Sequence, residues 1–191
     1  AALKNDPKLE SWGREFAKRL PERKHEYLKI SRKATINLVA ATLNSKKSSR
    51  SDFKDAKKRL DAVSLAGASD KEKIAYFKNR LLVAEALEDL ARVQSAAQRL
   101  LFVSSLPDSE RQWAKGKQAW AAEMNLEFKK AFRIYKSLQL PGVSAADRNL
   151  KLGLLADLAG FDSTSYYKKF IRLTPSRRKA NEIRALLIKR S

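Results

Sequence analysis

Apolar residues recur at three- and four-residue spacing along the whole chain. No stretch alternates apolar and polar positions as a half-buried strand does. Leu9, Trp12 and Phe16 predict a short helix after Pro7. Tyr27, Ile30, Ala34, Leu38 and Ala41 predict a second helix after Pro21, a residue well tolerated in a first turn. The polar, basic stretch NSKKSSRS (44–51) predicts an exposed, mobile loop. Ser51 is then placed to cap a helix striped by Phe53, Ala56, Leu60 and Val63, with Gly67 at its C-terminal end. Ser69 and Glu72 have the spacing of a capping box, in which hydroxyl and carboxylate satisfy each other's backbone amides. From Asp70 to about Ser104 nothing interrupts the helical pattern. Leu81, Leu82, Val83, Ala86, Leu87, Leu90, Val93, Ala97, Leu100 and Leu101 give one long helix a wide apolar face, which places it at the centre of the core.

Pro107 opens a further segment over 110–138, with Gly116 and Asn125 as its weak points. Trp113 and Trp120, seven apart, share a helix face and read as core packing. Ser144 caps a helix over 145–159 that Gly160 ends, and Tyr166, Tyr167 and Phe170 pack the next. Thr174 and Pro175 start the last helix, 175–190, with Ala180, Ile183 and Leu187 inward. The expectation is an all-α chain of about eight helices. It is read as a single domain over 1–191, with a subdivision into a bundle-like part (1–105) and a repeat-like part (106–191).

A chain of 191 residues is long enough for one substantial core. With 43% hydrophobic and 32% charged residues it is globular in composition, and few Gly and Pro favour helix. Its longest apolar run, INLVAATL (36–43), is far below the ~20 residues that cross a bilayer, so the expectation is a soluble protein. No signal-peptide pattern is visible, and the initial Ala fits signal cleavage or trimming equally; exported and cytoplasmic locations both stay open. The absence of cysteine excludes disulfides, thiolate zinc sites and cysteine nucleophiles. His25, the only histidine, has no partner for acid–base or metal chemistry. Glu85, Glu88 and Asp89, like Glu123 and Glu127, have the helical spacing of solvated faces, and no Gly-rich phosphate loop occurs. The reading is non-enzymatic, without cofactor, metal or small-molecule substrate.

Charge changes this picture. The net charge is +20, and it is uneven: residues 1–60 carry +10, 61–160 carry +3 and 161–191 carry +7. Such asymmetry points to an acidic partner: an acidic protein, nucleic acid or anionic lipid. Two basic clusters stand out. One covers 46–59 and ends in Lys57, Lys58 and Arg59; the other holds Lys168, Lys169, Arg172, Arg177, Arg178 and Lys179. Basic groups interleaved with tyrosines can hold phosphates and stack on bases, which makes a nucleic-acid-binding helical protein the alternative function. Contact with an anionic membrane surface has the right charge. It lacks a strongly amphipathic basic helix with exposed Trp or Phe.

Pro107, Pro141 and Pro175 stand 34 residues apart, the period of the tetratricopeptide repeat. Leu152-Gly153, Ala156, Gly160, YYKKFIRLTP and the tail ANEIRALLIKR resemble a terminal repeat of that family with its capping helix. The resemblance covers roughly 109–190 and hardly touches the first 105 residues. It implies helical hairpins stacked as a short right-handed solenoid, and an interaction scaffold that holds an extended partner segment on its concave side. Carried onto this sequence, Asp147, Leu150, Leu154 and Asp157 face that groove. The stretch LADLAGFDSTSYYKKF also resembles the second helix-turn-helix of AraC-type regulators over 155–175. That family's major-groove helix would begin near Ser165-Tyr166. The distance from Ser165 to Thr174 is about one turn too short for it.

Overall fold

A computed structural model describes residues 7–139 and 142–189, which form ten α-helices, one short 3-10 turn at Pro21–Arg23, and no strand among the described residues. Pro141 and Arg190 of the predicted elements lie outside the described residues. The chain divides into two compact units, Ala1–Ala114 and Lys115–Ser191. The division falls inside a helix, Asp108–Met124, rather than before it at 105/106.

The first unit contains α1 (Pro7–Arg19), α2 (Lys24–Asn44), α3 (Arg50–Asp61), α4 (Asp70–Ala86), α5 (Leu90–Leu101) and the first turns of α6 (Asp108–Met124). α1 and α2 meet at Gly13, where a Cβ would stand 2.7 Å from the Tyr27 carbonyl oxygen and 2.8 Å from Ser31 Cβ. No side chain fits there, and the Ser31 hydroxyl donates to the Glu10 carbonyl at 2.8 Å beside it. The buried Glu10 carboxylate accepts from Arg14 at 2.7 Å and also from Arg59, which ties α1 to α3.

The core face of α2 differs from the predicted stripe. Ser31, Arg32, Ala34, Thr35, Ile36 and Val39 are buried, whereas Ile30 and Ala41 are exposed. Hydrophobicity alone missed this because three polar residues, Ser31, Arg32 and Thr35, are satisfied inside. Arg32 donates to the carbonyls of Ser64 (3.1 Å) and Ala66 (3.3 Å) and pairs with Glu72 at 3.3 Å. Glu72 also closes the predicted capping box of α4 with Ser69. Val39, Leu60, Tyr76 and Leu100 lie at the centre of this core, with Trp113 packed against it.

Several predicted boundaries shift for one reason: a nearby polar residue makes the better cap. α3 is capped by Ser49, not Ser51, because Asp52 completes a reciprocal box with it. It ends at Asp61, and Gly67 (φ +64°) turns the following loop instead. The loop before α3 is exposed as predicted, but the Ser48 hydroxyl anchors it to the Thr42 carbonyl at 2.7 Å.

The uninterrupted helix expected over 70–104 is two helices, α4 and α5. Glu88 takes a left-handed φ of +59°. The Asp89 amide then bonds back to the Ala84 carbonyl (2.9 Å), and that of Glu88 to Glu85 (3.0 Å). This is a Schellman closure. It recurs at Leu126 (φ +60°), with Glu127 bonded to Ala122 at 2.8 Å, and at Gly160 (φ +72°), with Phe161 bonded to Ala156 at 2.8 Å. Each left-handed residue follows a buried alanine by four and an acidic residue by three: Ala84-Glu85, Ala122-Glu123 and Ala156-Asp157.

The second unit holds the rest of α6, then α7 (Phe128–Ser137), α8 (Ala145–Leu158), α9 (Thr164–Leu173) and α10 (Arg177–Ile188). Consecutive helices pack: α7 on α8, α8 on α9, α9 on α10. Ala122, Ala131, Phe132, Leu152, Leu155 and Ala156 form the core. Two acidic residues clasp their hairpins. Asp157 accepts from the Ser163 hydroxyl and, at 2.5 Å, from the buried Tyr167 phenol. Glu123 binds the Tyr135 phenol and pairs with Lys151. Burial, then the Glu123 charge, pushes the Tyr135 phenol up to about 12. The last helix starts at Arg177 under a Ser176 cap. Thr174 instead ends α9, its hydroxyl accepting from the Ser176 amide at 3.3 Å.

Candidate functional site

Among the described residues, no group of three or more His, Asp or Glu side chains is placed to hold a metal ion, and no helix is long and apolar enough to cross a membrane. What the second unit offers is a surface. α8 turns Ala146, Leu152, Gly153, Leu155 and Ala156 inward. Leu150, Leu154 and Leu158 follow one another at helical spacing on its other side, half-buried, 46% exposed and 60% exposed in turn. Leucine stands on a helix surface there because the core is already filled by the opposite stripe.

The four predicted groove residues therefore divide. Leu150 and Leu154 lie on that stripe, and Leu158, not named from the sequence, extends it by a turn. The two acids do local work. Asp147 is exposed but holds the α8 cap, accepting from the Ser144 hydroxyl at 2.7 Å. Asp157 is engaged in the Tyr167–Ser163 clasp.

The basic clusters divide as well. In the first unit Lys57 pairs with Asp89 (3.5 Å), Lys58 with Asp55 (3.6 Å) and Arg59 with Glu10. The Lys57 and Arg59 pairs tie α3 to its neighbours, whereas Lys58–Asp55 lies within α3 itself; Asp89 is shared with Arg92 and Glu10 with Arg14. In the second unit Lys168, Lys169 and Arg172 form the exposed face of α9, whose inward residues are Tyr167 and Phe170. Arg177, Arg178 and Lys179 are exposed at the start of α10, with Arg178 bonded to Glu182 at 3.0 Å. Tyr167 cannot stack on a base, being fully buried, and Tyr166 is packed edge-on against Phe132 at 5.7 Å between centroids.

Sequence reasoning missed three members of this surface. Lys129, Arg133 and Lys136 are exposed on α7, at four- and three-residue spacing, opposite the buried Ala131 and Phe132. The pattern FKKAFRIYKS carries the signal, an amphipathic helix whose polar face is almost wholly basic. α7 and α9 are joined through Phe132, whose ring lies 5.2 Å from Phe161 and 5.7 Å from Tyr166.

The first unit carries an apolar surface the sequence did not disclose. Trp12 (49%) and Phe16 (41%) on α1 and Leu20 (37%) just after it are exposed, and the Phe16 ring meets Tyr27 at 5.5 Å. Compared with known proteins, the chain matches no family model, no curated protein and no solved structure.

Proposed function

We propose that this protein is a non-enzymatic helical-repeat scaffold of tetratricopeptide-like type that binds an acidic protein partner. The observation that carries the reading is the α8 stripe: three leucines on one helix face, two of them well exposed, on a unit of 77 residues with 17 basic and 6 acidic side chains. Exposed apolar side chains at four-residue intervals serve as anchors, while surrounding lysine and arginine select an acidic partner and speed its approach. Binding-partner capture with the L154Q/L158Q and R177A/R178A variants tests this. Loss of the partner is expected with the leucine variant and only weakening with the arginine variant. Equal retention by the leucine variant rejects the stripe as the binding face.

The second reading, nucleic-acid binding, draws on the exposed basic faces of α7 and α9, which together present Lys129, Arg133, Lys136, Lys168, Lys169 and Arg172. It requires affinity for labelled duplex DNA that falls steeply with salt, by a slope of about 0.9 per neutralised phosphate. Absence of binding at ~150 mM salt eliminates it, since most contacts would be to phosphate.

A further inference from the structure

A groove of about 830 Å³ runs between α2 and the start of α4 in the first unit. Its apolar lining includes Ile36, Ala68 and Ala75, and three lysines line it too: Lys29 and Lys33 from α2 and Lys71 from α4. All three are exposed, and among the described residues none of them has an ion-pair partner. The one carboxylate in the lining, Glu72, is already held by the buried guanidinium of Arg32 and by Ser69. The groove therefore presents three uncompensated positive charges beside an apolar surface.

We infer that this groove docks an acidic segment of a partner protein, one apolar side chain lying on Ile36, Ala68 and Ala75 and carboxylates meeting Lys29, Lys33 and Lys71. Lys29 and Lys33 are four residues apart on one helix, about 6 Å along its axis. That matches two acidic residues at alternate positions of an extended segment, which stand about 6.6 Å apart. Chemistry favours carboxylates over a nucleic-acid strand. The lining has no aromatic ring on which a base could stack and no arginine, and the guanidinium bound to its Glu72, that of Arg32, is also committed to two carbonyls. This site is in a different unit from the α8 stripe and does not depend on it.

The test is selection of a random peptide library displayed on phage against the full chain, followed by anisotropy of the enriched peptides. Enrichment of acidic–x–acidic peptides with a neighbouring apolar residue is expected. Their affinity should fall at least tenfold with K29E/K33E/K71E, and also fall with the neutral K29Q/K33Q/K71Q. It should be unchanged with L154Q/L158Q, which separates this site from the scaffold reading. Because the lysines are exposed, both lysine variants should keep the wild-type circular dichroism. The inference is overturned by no acidic enrichment, by affinity that survives charge reversal, or by single-stranded DNA displacing the peptide at equal concentration.

Discussion

Replacing Gly153 by alanine tests the close approach of α8 to Tyr167 on α9. A Cβ at this position would stand 2.6 Å from Tyr167 Cε1 and 2.8 Å from its Cδ1. Reaching an ordinary contact requires the ring to move by about 0.8 Å. Tyr167 is fully buried and its hydroxyl is held by Asp157 at 2.5 Å, so the ring has nowhere to go. Overpacking costs about 1–3 kcal/mol, and weakening a hydrogen bond to a carboxylate a further ~1.5–3 kcal/mol. Alanine's better helix propensity offsets about 1 kcal/mol of that. The net expectation is a loss of about 1.5–5 kcal/mol. Gly116 supplies the control, since it is also helical and a Cβ there meets nothing within 4 Å. Gly116→Ala should therefore gain up to about 1 kcal/mol. Urea unfolding followed by circular dichroism measures both. In a Tyr167→Leu background the added Gly153→Ala change should lose most of its penalty. If Gly153→Ala raises the urea midpoint as Gly116→Ala does, the close-contact reasoning is wrong.

The left-handed turns make a second prediction: Leu126→Gly and Glu88→Gly should each stabilise by about 0.5–1 kcal/mol. Relief of the left-handed penalty outweighs the glycine entropy term, and Leu126, 72% exposed, loses little packing. Leu126→Ala in the same urea unfolding series should gain nothing. Glu72→Gln should destabilise by about 3–5 kcal/mol, because it leaves buried Arg32 without its counter-ion. Burial pushes the Glu72 carboxyl up, but Ser69 and Arg32 outweigh it and hold the group below the usual carboxylate range. Its contribution is thus complete above the unfolded-state pKa and disappears as pH falls through the lower folded value. The Gln variant should show a shallower loss of stability between pH 5 and 3, within ~2 units of that ordinary value. Tyr135, at about 12 when folded, binds its proton more tightly than in the unfolded chain; that contribution is complete below pH ~10 and disappears as pH rises toward 12. Ultraviolet titration should show a high-pH phenol step that Tyr135→Phe removes, and an unchanged high-pH limb in that variant contradicts this.

The helical class was legible because apolar spacing is set by the period of the element, and that signal survives any arrangement of the helices. Boundaries were legible where one residue type forces the geometry. Gly160 ended α8 as expected, and Ser144 and Ser69 capped the helices predicted for them. Glu88 and Leu126 adopt the same backbone as Gly160 without being glycine, so the break at 87–89 was invisible to a residue-by-residue reading. Comparing VAEALED (83–89), AAEMNLE (121–127) and LADLAGF (155–161) does reveal it, through the shared alanine and acid. The candidate surfaces were half legible. Leu150 and Leu154 followed from the family resemblance, but whether a lysine is compensated depends on which carboxylate folds beside it. Lys58 has Asp55 three residues away on its own helix, but Lys57 and Arg59 found partners on other helices whereas Lys29, Lys33 and Lys71 did not, and nothing in their immediate neighbours distinguishes these two groups.

The repeated turn closure also bears on how the chain acquires its structure during synthesis. Each closure is complete within six residues, and from α7 to α10 each helix packs on its neighbour in sequence. Such short-range topology has a small loop-closure penalty and folds in the microsecond-to-millisecond range. A ribosome adding 5–20 residues per second needs roughly 2–7 s to make a hairpin of about 35 residues. Each hairpin thus has ample time to shut before the next one emerges, so the facing sides of α4 and α5, and later those of α8 and α9, are covered soon after synthesis rather than left waiting for distant chain.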